Sequence, residues 1–228
     1  MPTLTPMHGR RPIRVLALAG ALSLALHLGA RAADLPDISP VPRAATVPAL
    51  PRHWQHGAFM EVFVRGFADS NGDGTGDLKG LTARLPDLKA LGIRGLWLMP
   101  VTASGDHDHG YATTDHRAIE PAYGTLADLD DLLRQARRHG IGVIMDYVVN
   151  HAAAAHPFFV DARRNPTSPW RDWWVWSATE PKGWNIWGHN PWYSATTDPW
   201  TFQGDVKTLQ PRADDPEGYY FGTFGPHM

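Results

Sequence analysis

The 228-residue chain contains no cysteine. Disulfides, thiolate metal sites and a cysteine nucleophile are therefore excluded. It also lacks a large charge of either sign: it has 21 Lys and Arg and 23 Asp and Glu, which give a net charge of -2. Without a basic block the chain has no electrostatic footprint for nucleic acid. With 43% hydrophobic residues, it is predicted to be a globular protein with a core of ordinary size.

Residues 1–33 are predicted to be an export signal. Arginines at positions 10, 11 and 14 precede an apolar run over residues 15–29, and Ala30-Arg31-Ala32 fits a small-x-small cleavage site. The apolar run is shorter than the ~20 residues of a membrane-spanning helix. The alternative is that this segment is not cleaved and anchors the protein in the membrane. We therefore expect a secreted or periplasmic protein.

Residues 58–151 show alternating strand and helix patterns. Apolar runs of strand length occupy residues 59–64, 95–100 and 141–149, and between them leucines recur at three- and four-residue steps. Thr125 with Asp128 forms a capping-box pattern at the start of the second helix. Two consecutive strand-helix-strand units predict an α/β fold with a parallel sheet. Residues 34–57 carry five prolines and are predicted to be a linker or wrapping segment.

Residues 152–228 are predicted to be a separate loop-rich region, because regular periodicity is lost there. Eight of the ten tryptophans follow position 169. Flat aromatic faces suit sugar rings. The alternative is that Trp174, Trp176 and Trp187 form the core of this region.

The stretch ADSNGDGTGDLKG, residues 68–80, resembles a calcium-binding loop. It is not an EF-hand, because position 12 counted from the first aspartate is Gly80 rather than an acidic residue. Side-chain oxygens nonetheless recur at i, i+2, i+4 and i+8. We predict a structural Ca2+ site formed by Asp69, Asn71, Asp73 and Asp77. The alternative is a polar turn in which Asp77 is the N-cap of the following helix.

Polar residues also follow the second and third predicted strands. His109, Tyr111 and Asp115 come after the second, and the third ends in DYVVNH, Asp146 to His151. Residues past the carboxyl ends of parallel strands face the ligand-binding end of such folds. The alternative is that each of these side chains only forms hydrogen bonds with backbone groups. A buried Asp146 must have a hydrogen-bond or charge partner.

Three stretches in this order resemble the α-amylase superfamily, glycoside hydrolase family thirteen. They are VFVRGFADSNGDGTGDLKGL, GYATTDHRAIEPAYGT and DYVVNH. The resemblance implies the first three units of a (β/α)8 barrel, with a loop-rich domain B over residues 152–228 after strand three. It also implies a retaining glycosidase acting on α-glucosidic bonds of starch-like glucans or oligosaccharides.

The resemblance implies a role for each site residue. Tyr111 would stack on the sugar at subsite -1, His151 would bind its 6-hydroxyl, and His109 would line the same pocket. Asp115 is a further substrate-binding candidate because of its position after the second strand. Asp146 would orient an arginine from strand four. Asn150 matches a position that binds a second calcium in many amylases, and Ala112 stands where many relatives carry Asp, which leaves bond preference open.

The resemblance places the three catalytic carboxylates on strands four, five and seven, and no residue of this chain matches them. We therefore expect an N-terminal portion that is inactive alone. A secreted calcium-dependent carbohydrate-binding protein without catalysis is the alternative. An α/β enzyme of unrelated chemistry using Asp146 and His151 is a third hypothesis, weakened by the lack of a nucleophile.

Overall fold

The computed structural model describes residues 38–41, 48–105, 109–179, 200–202, 218–222, 224 and 228. The expected export signal and Trp187 lie outside the described residues. None of the described helices has the length and hydropathy needed to cross a membrane.

A three-stranded parallel sheet forms the centre of the described structure. It contains β1 (Ala58–Val62), β2 (Ile93–Leu98) and β5 (Gly142–Met145), in the order β1-β2-β5. Helix α1 (Leu78–Ala90) connects β1 to β2, and α2 (Leu126–Arg138) precedes β5. The α/β prediction is therefore confirmed. The third strand is shorter than predicted: the Asp146 amide still donates to the Leu98 carbonyl at 2.8 Å, beyond the last paired residue, Met145.

Both helices begin and end where their sequence signals predict. The Asp77 side chain accepts a hydrogen bond from the Gly80 amide at the start of α1, and Gly92 follows its end with a φ of 86°. Thr125 and Asp128 form the complete capping box of α2. Their inner faces pack on one side of the sheet, and this core contains Val62, Leu78, Leu81, Leu85, Leu88, Leu96, Leu98 and Leu132.

The opposite face of the sheet carries Phe59, Glu61, Trp97 and Ile144, all of them exposed. These side chains alternate with the buried residues of each strand, as the two-residue period of a strand requires. At the amino-terminal end of this face, the ring of Phe59 lies over Gly95 and that of Trp54 over Gly142. A Cβ on either glycine would come within 2.3 Å of the neighbouring ring.

Two regions have more regular structure than the sequence predicts. Strands β3 (Thr102–Ser104) and β4 (Thr113–Ile119) form an antiparallel pair after β2. After β5 come α3 (Pro157–Arg164) and a small antiparallel sheet with the order β6-β8-β7, formed by β6 (Trp176–Ser177), β7 (Trp200–Phe202) and β8 (Tyr219–Phe221). Within the region predicted to be loop-rich, these elements are too short to show a period in the sequence.

Candidate functional site

Tyr111, Asp146 and His151 come together at the carboxyl end of the parallel sheet. The Tyr111 hydroxyl donates to Asp146 Oδ2 at 3.0 Å, and His151 Nε2 lies 3.0 Å from the Tyr111 carbonyl oxygen. Because a carbonyl only accepts, Nε2 carries the proton and donates. The loop after β2 and the segment after β5 are thus joined through these three residues, which we call the cradle.

The protonation states of the cradle follow from its burial and charges. Burial, the hydrogen bond to Asp146 and the negative charges of Asp146 and Glu61 all raise the pKa of Tyr111. The phenol therefore stays neutral and remains a donor. Burial lowers the pKa of His151, which keeps its ring neutral near pH 7. Its Nδ1 accepts from Asn150 Nδ2 at 3.2 Å, an exposed contact that a ligand hydroxyl can replace.

His109 and Asp115 make contacts of other kinds. The His109 ring stacks on Phe63, with centroids 5.1 Å apart and an interplanar angle of 11°. Asp115 Oδ1 accepts from the Arg117 amide at 2.8 Å, and Asp115 lines a separate cavity of about 740 Å³. Of the residues that line this cavity, His151 is also part of the cradle. The structure therefore divides the predicted sugar-binding residues between two places.

Sequence reasoning missed Glu61. Its carboxylate lies on the open face of β1 and contributes to the raised pKa of Tyr111. The signal was present, because a charged residue alternating with apolar ones in β1 must point away from the core. In this region of the sequence, only the glycine-rich loop was predicted to have a function.

The glycine-rich loop is held by its own side chains. Asp69 accepts from the amides of Asn71, Gly72 and Gly74, and Asp73 accepts from the Thr75 amide. The Gly74 and Gly72 amides hold the pKa of Asp69 below its usual value, so this carboxylate is ionised, as a metal ligand must be.

Asp77 stands apart from the other predicted calcium ligands. Its side chain is 6% exposed, with Oδ1 bonded to the Gly80 amide and Oδ2 to both the amide and the hydroxyl of Ser70. Burial opposes ionisation, but these hydrogen bonds more than offset it and lower the pKa of Asp77. Asp77 is thus the N-cap that the alternative reading predicted. Oδ2 accepts two hydrogen bonds and Oδ1 only one, so the lone pair left for a cation is on Oδ1.

The aromatic residues after position 152 mostly pack on one another. Phe159 stacks on Trp176 at 5.7 Å and contacts Trp174 at 5.0 Å and Tyr220 at 5.0 Å. Trp173 is 64% exposed. Core packing thus accounts for Trp176, whereas Trp173 and Trp174 line the cavity.

Parallel strands connected by helices, with polar side chains gathered at their carboxyl ends, define an α/β protein with its candidate ligand-binding site at this edge of the sheet. The family model "Alpha amylase, catalytic domain" matches residues 61–211. The chain belongs to the α-amylase family of glycoside hydrolases.

Two curated relatives show how far this similarity extends. Alpha-amylase 3 of Dictyoglomus thermophilum is 45% identical over 139 residues, which are 60% of this chain and 28% of that protein. Glucan 1,6-alpha-glucosidase of Streptococcus dysgalactiae subsp. equisimilis is 46% identical over 123 residues, 54% of this chain and 23% of that protein. The chain therefore spans about a quarter of the length of these relatives.

Solved structures give the same result. An α-amylase from H. orenii matches with a TM-score of 0.62 and 36% identity, covering 75% of this chain and 33% of that one. A mutant of MutB in complex with glucose matches with a TM-score of 0.61 and 33% identity, covering 77% of this chain and 29% of that one. These matches confirm that the described sheet is part of an α-amylase-type barrel.

Proposed function

We propose that this chain supplies the glucose-binding cradle of a retaining α-amylase-type glycoside hydrolase that acts on starch-like glucans or oligosaccharides. The observation that carries the proposal is the hydrogen bond between the Tyr111 hydroxyl and Asp146, at the carboxyl end of the parallel strands. Relatives named as α-amylases and α-glucosidases support a glucan substrate.

Each cradle residue has a defined part in binding. The Tyr111 ring offers an apolar face to a pyranose, and Asp146 fixes the orientation of that ring through its hydroxyl. Asp146 is therefore a positioning residue. His151, kept neutral by burial, offers Nδ1 as an acceptor to a sugar hydroxyl once Asn150 is displaced. His109, whose ring stacks on Phe63, would form a further wall of the sugar site.

We also propose that residues 1–228 alone bind sugar without hydrolysing it. Retaining hydrolysis needs a carboxylate nucleophile and a separate carboxylic acid about 5–5.5 Å away. Asp146 is engaged by Tyr111. Of the two carboxylates whose charges raise the pKa of Tyr111, this leaves Glu61. A single carboxylate does not complete the retaining mechanism.

Titration of the purified chain with maltose, followed by calorimetry, tests the cradle. Replacing Tyr111 with alanine should weaken binding at least about tenfold, because the stacking face is lost. Tyr111→Phe should weaken it a few fold, because only the positioning hydrogen bond is removed. Leu91→Ala, at an exposed side chain after α1 that does not line the cavity, is the control and should leave maltose binding unchanged.

Two results would contradict the proposal. Equal maltose affinity for wild type and Tyr111→Ala would show that the sugar binds elsewhere. Release of reducing sugar from maltose above a blank would show that the chain itself contains a working pair of carboxylates.

We further propose a structural Ca2+ ion in the glycine-rich loop. Asp69, Asn71 and Asp73 are exposed and offer hard oxygen donors, which suit calcium. The described residues contain no group of three or more His, Asp or Glu side chains that could hold a metal by themselves. Asn71, backbone carbonyls and water would therefore complete the coordination shell of the ion. Asp77 would contribute an oxygen ligand while it remains the N-cap of α1.

Thermal unfolding with calcium and with a chelator tests this ion. Wild type and the exposed-site control Asp130→Ala should both melt at higher temperature with calcium, whereas Asp73→Ala should melt alike in both. If Asp73→Ala lowers the melting temperature equally with and without calcium, the side chain merely holds the turn.

Finally, we propose that the protein is exported to the periplasm or beyond. The support is the arginine-preceded apolar run and the cleavage pattern at Ala30-Arg31-Ala32. Mass spectrometry of the exported protein should place its amino terminus at or next to Asp34. An intact amino terminus on a membrane-bound product would support the anchor instead.

A further inference from the structure

Asn71 is followed by a glycine in the part of the glycine-rich loop that lies between β1 and α1. Both Asn71 and Gly72 are exposed to solvent. Gly72 has a φ of 80°, and a Cβ at this position would meet no atom of a more distant residue within 4 Å. Water and hydroxide therefore reach this peptide bond freely, and no side chain on residue 72 shields the backbone nitrogen that follows Asn71.

An asparagine side chain in this setting can react with its own backbone. The Gly72 nitrogen gives up its proton to base and attacks Cγ of Asn71, so that a new N–C bond forms and the bond from Cγ to Nδ2 breaks. Nδ2 takes up a proton and leaves as ammonia. Water then adds to one of the two carbonyls of the resulting succinimide ring, which gives aspartate or isoaspartate. Water is the only co-reactant, and no electrons are transferred to or from the chain.

Hydrogen bonds hold the atoms that would react. The Gly72 amide donates to Asp69 Oδ1 at 2.7 Å, and this bond must break before the nitrogen can attack. The carboxylate also disfavours loss of the amide proton, because that would place two negative charges side by side. Asn71 itself is held by Asp73: its Nδ2 donates to the Asp73 carboxylate at 3.0 Å, and its Oδ1 accepts from the Asp73 amide at 2.9 Å.

The Asp69 carboxylate is itself fixed in position by further bonds. Its Oδ1 also accepts from the Asn71 amide at 3.0 Å, and its Oδ2 accepts from the Gly74 amide at 2.8 Å. Because three amides hold this carboxylate, it stays aligned with the Gly72 N–H. The net contribution of one such exposed hydrogen bond corresponds to a reaction slowed about three- to tenfold.

The other asparagines that the structure describes lack this combination. Asn165 is also exposed, but it precedes Pro166, whose nitrogen carries no hydrogen and cannot close the ring. Asn150 is exposed as well and precedes His151, whose side chain crowds the backbone nitrogen. Exposure alone therefore does not distinguish Asn71, whereas the glycine that follows it does.

We propose that Asn71 is a site of spontaneous deamidation and that Asp69 slows the reaction by holding the Gly72 amide. Either product adds a negative charge beside Asp69 and Asp73, and isoaspartate also adds one carbon atom to the main chain. The paired hydrogen bonds between Asn71 and Asp73 fit the native backbone length, so isoaspartate loosens the loop. Any effect on calcium binding rests on the proposed ion, whereas the deamidation itself does not.

Mass spectrometry of the full chain, kept folded at mildly alkaline pH with a chelator, tests the site. Trypsin releases residues 66–79 as a peptide in which Asn71 is the only side-chain amide. Asn71 should gain, over time, the mass difference between an amide and an acid, and chromatography separates the aspartate and isoaspartate forms. A synthetic peptide of the same sequence gives the rate without the fold, and should react faster than the folded chain.

An internal control comes from the same digestion. Trypsin also releases residues 165–171, in which Asn165 is the only side-chain amide. Because Pro166 follows it, this peptide should keep its mass throughout the incubation. A mass change at Asn165 equal to that at Asn71 would show hydrolysis that does not pass through the neighbouring backbone nitrogen, and would contradict the proposal.

Variants separate the Asp69 contact from a general loosening of the loop. Asp69→Ala should speed deamidation of the folded chain about three- to tenfold, because the Gly72 amide loses its acceptor. Asp73→Ala removes the partner of Asn71 Nδ2 but keeps the Gly72–Asp69 bond, and should speed the reaction less. Asp130→Ala, at an exposed position in α2, should react at the wild-type rate. Circular dichroism establishes that each variant is folded.

Three further outcomes would overturn the proposal. A folded wild-type chain that reacts as fast as the synthetic peptide would show that the loop gives no protection, and this comparison needs no variant. Equal rates for wild type and Asp69→Ala would remove Asp69 from the account. Equal rates for Asp73→Ala and Asp69→Ala would assign the protection to the order of the loop as a whole rather than to the Gly72–Asp69 bond.

Discussion

Lowering the pH should destabilise the protein through His156, because this side chain is buried neutral. Its pKa is about 4 in the fold against 6.5 for the unperturbed group. Between these two values the unfolded chain binds more protons than the folded one, so stability rises with pH through this window. The contribution is fully present above 6.5 and is lost as the pH falls towards 4.

The shift corresponds to at most about 3 kcal/mol of unfolding free energy, and we expect about 2 kcal/mol after partial solvation of the ring. His156→Asn is the matched variant, because asparagine retains an N-cap acceptor for the Phe158 amide and does not titrate. Urea unfolding followed by circular dichroism should show a smaller pH dependence in the variant than in wild type. Other titrating groups affect both proteins alike and cancel in this comparison. Equal pH dependence for the two proteins would refute a buried neutral His156.

Three further outcomes follow from the fold and the cradle. Asp77→Ala should lower the unfolding free energy by about 2 kcal/mol in urea, because it removes a helix cap and leaves buried donors unpaired, whereas Asp77→Asn should recover part of the loss. Leu96→Ala should cost about 2–5 kcal/mol in the same assay, whereas Leu91→Ala, at a side chain 77% exposed, should cost little. Asp146→Asn should lower the pKa of Tyr111 in an ultraviolet titration, because a neighbouring negative charge is removed; an unchanged phenol pKa would contradict the contact.

The parallel sheet and its helices could be predicted because their signals are local. The leucines of α1 repeat along one helical face, and Thr125 with Asp128 marks the start of α2 within four residues. The β3–β4 pair could not be predicted in this way. Its strands pair in a register interrupted by two irregularities, and a three-residue strand is too short for its alternation to be recognised.

The candidate site was only partly predictable from sequence for the same reason. Their positions after strands made Tyr111 and Asp146 candidates, and these residues, 35 apart in sequence, are joined by a hydrogen bond. The same rule grouped Asp115 with them, although it lines the other cavity. Nothing local in the sequence relates His156 to Trp174, whose rings lie 6.1 Å apart, because this contact depends on how α3 packs against the residues that follow it.

A crystal structure of the chain with bound maltose tests the central claim most directly, namely that Tyr111, Asp146 and His151 form a glucose cradle. We predict a glucosyl ring stacked on Tyr111, with a hydroxyl donating to His151 Nδ1 and the Tyr111–Asp146 hydrogen bond intact. Maltose bound in the crystal with no sugar against Tyr111 would contradict the account.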